Sequence, residues 1–235
     1  MAECQPPVCA VVGVGPGNGE AFARRFSADG YAVALMARRT ELTGRLAAEL
    51  PRAASYACDA ADAKSVEAAF SRVRADLGEV DVLIFNAGSG VWGTIEEVAP
   101  EDFERAWRIN ALGLFLAARE VIPAMRRKGK GAIVVVGATA SRRGVARTAA
   151  FAPAKMAQRA LAESMARHLW PAGVHVALII VDGGVRSAVR ARSLGQAEDA
   201  LIAPEGVADI AAYLVGQERS AWSFEVEGRP YVEKW

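Results

Sequence analysis

Glycines crowd one short stretch near the start of the chain, Gly13-Val-Gly-Pro-Gly17-Asn18-Gly19. The stretch follows an apolar run and opens a segment of helical period. Glycine here permits a tight turn and lets the backbone approach a ligand, and the first amide groups of the next helix favour an anion. The ligand that fits is the pyrophosphate of a dinucleotide. At the end of the next apolar run stand Ala37, Arg38 and Arg39. A carboxylate in that place would hold a ribose 2′-hydroxyl. Alanine followed by arginine admits a 2′-phosphate instead and offers it a guanidinium, so the pattern predicts NADP(H) in preference to NAD(H).

Four further segments hold residues able to bind or react: Asp59 at the end of a third apolar run, Phe85-Asn86-Ala87-Gly88 after a fourth, Asn110 in Trp107-Arg-Ile-Asn110, and Lys155 in Phe151-Ala-Pro-Ala-Lys155. In this order and spacing, with the turn written Gly-x-x-x-Gly-x-Gly, the chain resembles the short-chain dehydrogenase/reductase family over nearly its whole length. The resemblance implies that Asn86, Ala87 and Gly88 support the cofactor ribose region and that Asp59 holds the adenine amino group. It implies that Lys155 binds the nicotinamide ribose and that Asn110 anchors a proton-relay water. Gly183, Val185 and Ser187, in Asp182-Gly183-Gly-Val185-Arg-Ser187, match the segment that grips the carboxamide. Asn110 and Lys155 are therefore the candidate catalytic pair. Gly13, Gly17, Asn18, Gly19, Arg38, Arg39, Asp59, Asn86, Ala87, Gly88, Lys155, Gly183, Val185 and Ser187 are the candidate cofactor contacts.

The departures from the family pattern fall on the reaction itself. Phe151 stands where the resemblance places a catalytic tyrosine, and Ala138 where it places a serine. Phenylalanine has no proton to give, and loss of a general acid costs about 10²–10⁴ in rate. Asp182 replaces a proline and Val12 a threonine. The spacing of the enoyl-reductase tyrosine falls on Thr148. Thr139, Ser141, Thr148, Asp182 or a water held by Asn110 and Lys155 are the candidate substitutes; local hydrogen bonding in turns is the alternative use of these groups. Two functions stay open. One is an oxidoreductase passing hydride to a carbonyl or an activated double bond. The other is an NADP(H)-binding sensor or partner subunit without turnover.

These residues need a scaffold. Short apolar runs at Val8–Gly13, Ala32–Ala37, Ser55–Asp59, Val80–Asn86, Gly131–Ala138, His175–Val181 and Trp222–Val226 read as strands buried on both faces. Amphipathic stretches near 18–29, 40–50, 62–77, 101–128, 149–170 and 204–217 read as helices, with Asp62 as an N-cap and Pro204 in a first turn. Strand–helix alternation from end to end predicts an α/β fold: a doubly wound parallel sheet of about seven strands, Rossmann-type, with helices on both faces. Residues 1–235 are expected to form one domain, with 183–203 as a long connection of the kind used for lids.

A small-molecule substrate is the partner the resemblance implies. The 28 basic and 27 acidic residues leave a formal net charge of +1, which favours neither nucleic acid nor an anionic membrane surface. The start has no basic segment followed by an apolar one, and three cysteines (Cys4, Cys9, Cys58) have no metal-ligand spacing, so a cytoplasmic location without disulfides is expected. Arg142, Arg143, Arg147, Arg186, Arg190 and Arg192 crowd the segments expected around the substrate. The resemblance implies a homodimer or homotetramer through the helices near 101–128 and 149–170, which are rich in Ala and Leu; the same residues would also suit an internal core face.

Overall fold

The computed structural model describes residues 5–186 and 200–232. Its strands are β1 (Val8–Val12), β2 (Ala32–Ala37), β3 (Ala53–Ala57), β4 (Val80–Phe85), β5 (Gly131–Ala138), β6 (Val174–Val181), β7 (Gly184–Val185), β8 (Leu201–Ile202) and β9 (Glu225–Gly228). Its helices of two turns or more are α1 (Asn18–Ala28), α2 (Glu41–Glu49), α3 (Ala63–Asp76), α4 (Pro100–Trp107), α5 (Gly113–Lys128), α6 (Phe151–Leu169) and α7 (Pro204–Val215). Seven strands form a parallel sheet in the order β3-β2-β1-β4-β5-β6-β9, and β7 pairs with β8 apart from it. This is the Rossmann-type arrangement expected from the alternation.

Alternate residues of each central strand feed opposite layers. Val8, Ala10 and Val12 of β1 face Phe70 of α3, Leu114 of α5 and the α6 side, whereas Cys9 and Val11 face Phe22 and Phe26 of α1 and Leu214 of α7. Each buried leucine or phenylalanine contributes about 1.5–3 kcal/mol. That two-sided burial is why the strands read as unbroken apolar runs. Among the described residues no helix is long and apolar enough to cross a membrane.

The structure departs from the expected elements in four places. The helix expected over 101–128 is divided by a π-helical turn at Arg108–Leu112. There the Asn110 side chain donates to the Ala106 carbonyl at 2.8 Å, a bond that competes with the helix's own ladder. The third strand spans Ala53–Ala57, starting and ending two residues early; it stops short of Asp59 because that residue belongs to a turn in which its carboxylate accepts from Ala61 N at 3.0 Å. The last strand starts at Glu225, since Trp222 is held in the preceding turn by a bond to Gln217 O and by stacking on His175. This edge strand alternates Glu225-Val-Glu227, and its carboxylates pair with Arg142, Arg159 and Arg229, so it lacked the apolar signature. Finally, β7 and β8 bracket part of the connection expected over 183–203.

Asp62 caps α3 through a 3.0 Å bond from Lys64 N. Asp62→Ala should lower stability by about 1 kcal/mol, read as an earlier urea midpoint at unchanged slope; an unmoved midpoint would show that the cap contributes nothing.

Candidate cofactor and substrate site

The sheet reverses direction of growth between β1 and β4, and the crevice at the carboxyl ends of these two strands is where ligands bind in such sheets. Here the connections after β1 and β4 touch. Gly13 has a φ of +94°, and a Cβ placed on it would lie 2.4 Å from Ala87 N. A side chain at Gly19 would meet Gly13 O at 2.8 Å. Asn86 ties the two connections together, its Nδ2 donating to Gly13 O at 2.7 Å. Gly13 N and Val14 N in turn donate to Met36 O at the end of β2. Gly17 adopts a φ of +105° and leads into α1.

Two clefts meet along this seam and share Asn86 and Gly88. One, of about 510 Å³, holds Gly13, Ala37, Arg38, Arg39, Asp59 and Ala87. The other, of about 600 Å³, holds Asn18, Ala138, Thr139, Phe151, Lys155, Gly183 and Val185. The expected cofactor residues are thus brought to one trough, save Gly17 and Gly19, which shape the turn beside it; Ser187 lies outside the described residues, as do Arg190, Arg192 and Cys4. The residues fit a dinucleotide on two observations of this structure. The glycine turn is open, with nothing within 4 Å of a Cβ on Gly15. Two buried acceptors, Asn18 Oδ1 and Asn110 Oδ1, have no hydrogen-bond partner and call for donors such as ribose hydroxyls or a carboxamide.

Lys155 is buried, and burial without a carboxylate beside it pushes its amine down to about 7. Nζ donates to Val136 O and to Gln158 Oε1, each at 2.9 Å. Gln158 Nε2 donates onward to Asn110 O at 3.1 Å, so a side-chain amide bridges the lysine and the π turn. Asn110 Nδ2 also donates to Ser89 O at 3.2 Å, which leaves Oδ1 as the free acceptor, 3.3 Å from the place of a Cβ on Gly88.

The candidate substitutes for the missing acid are engaged elsewhere. Thr139 Oγ1 donates to the Asp182 carboxylate, whose other oxygen accepts from Arg229. Burial works to raise the Asp182 carboxyl, but the Thr139 hydroxyl and the Arg229 guanidinium hold it below its usual value. Thr148 Oγ1 donates to Val145 O at 2.9 Å and accepts from Val145 N. Ser141 is buried and accepts from Ala138 N at 3.1 Å. Of the expected arginine cluster, Arg143 lines the cleft. Arg142, Arg147 and Arg186 are spent on Glu225 and Glu227, on Glu97, and on Glu205. His175 sits at the opposite end of the strands, its ring nitrogens 3.0 and 2.9 Å from Leu214 O and Ser223 O.

Sequence reasoning missed Trp92, Gln158, Glu41, Arg45 and Arg229. Gln158 had a signal, for it lies three residues after Lys155 on one helix face. Glu41 and Arg45 share a face of α2 and line the cleft that also holds Arg38 and Arg39, where Glu41 places a carboxylate among the arginines. Trp92 follows β4 in an irregular loop and Arg229 arrives from the far end of the chain, so no local pattern marks either.

A family model described as short chain dehydrogenase matches residues 7–197. Meso-2,3-butanediol dehydrogenase of Serratia marcescens is 31% identical over 227 residues, 91% of this chain and 88% of that protein. Human 17-beta-hydroxysteroid dehydrogenase type 1 is 35% identical over 143 residues, 61% of this chain but only 43% of that protein, so the match spans under half of this relative. Among solved structures, an alcohol dehydrogenase from the archaeon Thermococcus sibiricus, complexed with 5-hydroxy-NADP, superposes with a TM-score of 0.88 at 26% identity, covering 97% of this chain and 98% of that one.

The Lys155 amine falls in the fold from 10.5 to about 7. Between these values the unfolded chain binds more protons, so stability is lowest at and below about pH 7 and rises with pH, with a slope approaching about 1.4 kcal/mol per unit. Lys155→Met should remove this component. The stability difference between wild type and variant, from urea melts at stepped pH, should climb in favour of the wild type above about pH 7; a flat difference would contradict the assignment.

Proposed function

Because the chain belongs to the short-chain dehydrogenase family of nicotinamide-dependent oxidoreductases, we propose that it binds NADP(H) in preference to NAD(H) along the trough. Its reaction would be hydride transfer to a small carbonyl compound or activated double bond. One observation carries the reading: a single trough runs from the exposed arginines after β2 to the buried amine of Lys155, with the unpartnered acceptor of Asn18 in its wall. Arg38, Arg39 and Arg45 outnumber Glu41 and Asp59 at the adenosine end, which favours a 2′-phosphate. The related archaeal enzyme complexed with 5-hydroxy-NADP supports the same choice.

In this reading Gly13, Gly17 and Gly19 shape the pyrophosphate turn, and the α1 N-terminus stabilises the anion. Asp59 faces the adenine, and Asn86, Ala87 and Gly88 form the floor. Asn18, Gly183 and Val185 lie against the carboxamide end, and Lys155 holds the ribose with the N–H left over from Val136 and Gln158. When bound, the nicotinamide supplies a hydride. The chain's own part is to orient and to exclude water. Phe151 and Ala138 supply no proton and no hydrogen bond to a carbonyl oxygen. Gln158 fills the space between Lys155 and Asn110 O with an amide, which does not titrate and cannot relay a proton as a water chain would.

A second reading, cofactor binding without turnover, draws on the same engaged hydroxyls. The double variant Phe151→Tyr with Ala138→Ser tests between them. Gain of aliphatic carbonyl reduction by about 10²–10⁴ is expected if one general acid is all that is missing; no gain would leave the binding reading ahead. Calorimetry with NADPH and NADH tests the cofactor choice. Arg38→Ala should cost NADPH about 1.5–3 kcal/mol and NADH little, and equal losses would remove the assignment.

We also propose self-association through α4, α5 and α6, whose Phe103, Trp107, Phe115 and Met156 are exposed. Light scattering at micromolar concentration should give a multiple of 24.8 kDa; a monomer there would contradict it.

A further inference from the structure

Among its lining residues the substrate half of the trough has two aromatic rings, Trp92 and Phe151, and the guanidinium of Arg143. Trp92 is 59% exposed at its mouth and packs on Phe151, with ring centroids 5.4 Å apart and planes inclined by 40°. The pair forms a platform, not a slot, because the rings already touch. Val145, 61% exposed, borders the same cleft. An exposed indole packed on a second ring beside a cleft offers a flat apolar ligand a surface to cover. Among the described lining residues, Thr139 and Thr148 have already donated their hydroxyl hydrogens, to Asp182 and to Val145 O. Ser89, Lys155 and Arg143 also line the cleft; Lys155 is committed to Val136 O, to Gln158 and, in the reading above, to the ribose, and Arg143 is a cation that stabilises an oxyanion but gives up no proton.

These features set what a hydride acceptor must be. Reduction of an isolated ketone leaves an alkoxide, which needs an acid at once. Reduction of a quinone leaves a phenolate-like anion, with a conjugate acid near the phenol value of about 10, stable enough to await water. Resting on the NADP(H) reading above, we propose that the cleft takes a planar quinone, its ring on the Trp92–Phe151 platform and one oxygen facing Arg143. The quinone gains the hydride's hydrogen and electron pair from the reduced nicotinamide, which is left oxidised. One quinone oxygen forms an O–H bond, the ring becomes aromatic, and the other oxygen is left as a phenolate beside the guanidinium. That phenolate then takes a proton from water.

The probe is 2,3-dimethyl-1,4-naphthoquinone, whose substituted ring resists addition of thiols. Calorimetry on the NADP⁺-loaded protein, where no reduction can occur, should show binding that Trp92→Ala weakens about five- to tenfold, the scale of one aromatic contact. NADPH affinity should not change in that variant. Anaerobic NADPH oxidation by the quinone, above the protein-free rate, should exceed that with cyclohexanone by at least about 10², the contribution of an absent acid. Arg143→Leu should lower kcat by about 10²–10³. Cyclohexanone turned over as fast as the quinone, or quinone binding indifferent to Trp92→Ala, would overturn the proposal while NADPH binding left the cofactor reading standing. Failure of NADPH itself to bind would overturn both.

Discussion

Gly13 and Ala87 meet at a distance no side chain tolerates, and the trough exists because of that contact. A Cβ on Gly13 would lie 2.4 Å from Ala87 N, and Asn86 locks the seam by donating to Gly13 O. Met36 O accepts from both Gly13 N and Val14 N, so the end of β2, with Arg38 beyond it, is fixed by the same turn. One close approach therefore sets the floor of both clefts and the position of the arginines. A methyl group at Gly13 would push β1 and β4 apart at the point where the sheet changes direction, and each residue assigned to the cofactor would lose its register with the others.

At the other end of the trough, charge and hydrogen bonding are arranged to hold and not to transfer. A buried lysine without a counter-charge is costly. Here it is kept by Val136 O and Gln158, and Gln158 is kept by the Asn110 carbonyl of the π turn. Thr139 and Arg229 form a second set with Asp182, each donating to one oxygen of its carboxylate. Phe151 then lies between these sets with a hydrocarbon face. In the account proposed above, this cleft binds a ring better than it protonates an oxygen.

Much of this was legible in the residues. Two-sided apolar runs identified a parallel sheet, Asp62 and Pro204 marked helix starts, and the glycine turn with Asn86, Asn110 and Lys155 located the trough, because each depends on local conformation or fixed spacing. What stayed hidden depends on contacts between distant segments. The engagement of Thr139 needs Asp182 and Arg229, which come from two later parts of the chain. Arg142 and Arg147 read as a solvated basic face or, alternatively, as ligands for an anionic substrate, and their pairing with Glu225, Glu227 and Glu97 needed the distant segments. The π turn was invisible to helical periodicity, since it inserts a bond pattern and not a residue type. Glu225-Val-Glu227 was misplaced because an edge strand held by ion pairs does not look apolar.

The central claim, that one dinucleotide lies along the seam with its nicotinamide end over Lys155, is tested most directly by a crystal structure of the protein grown with saturating NADPH. The account predicts density from Arg38 to Lys155 across Gly13 and Gly88, with Asn18 Oδ1 and Asn110 Oδ1 both acquiring partners. Density elsewhere, or a trough filled only with water at saturating cofactor, would contradict it.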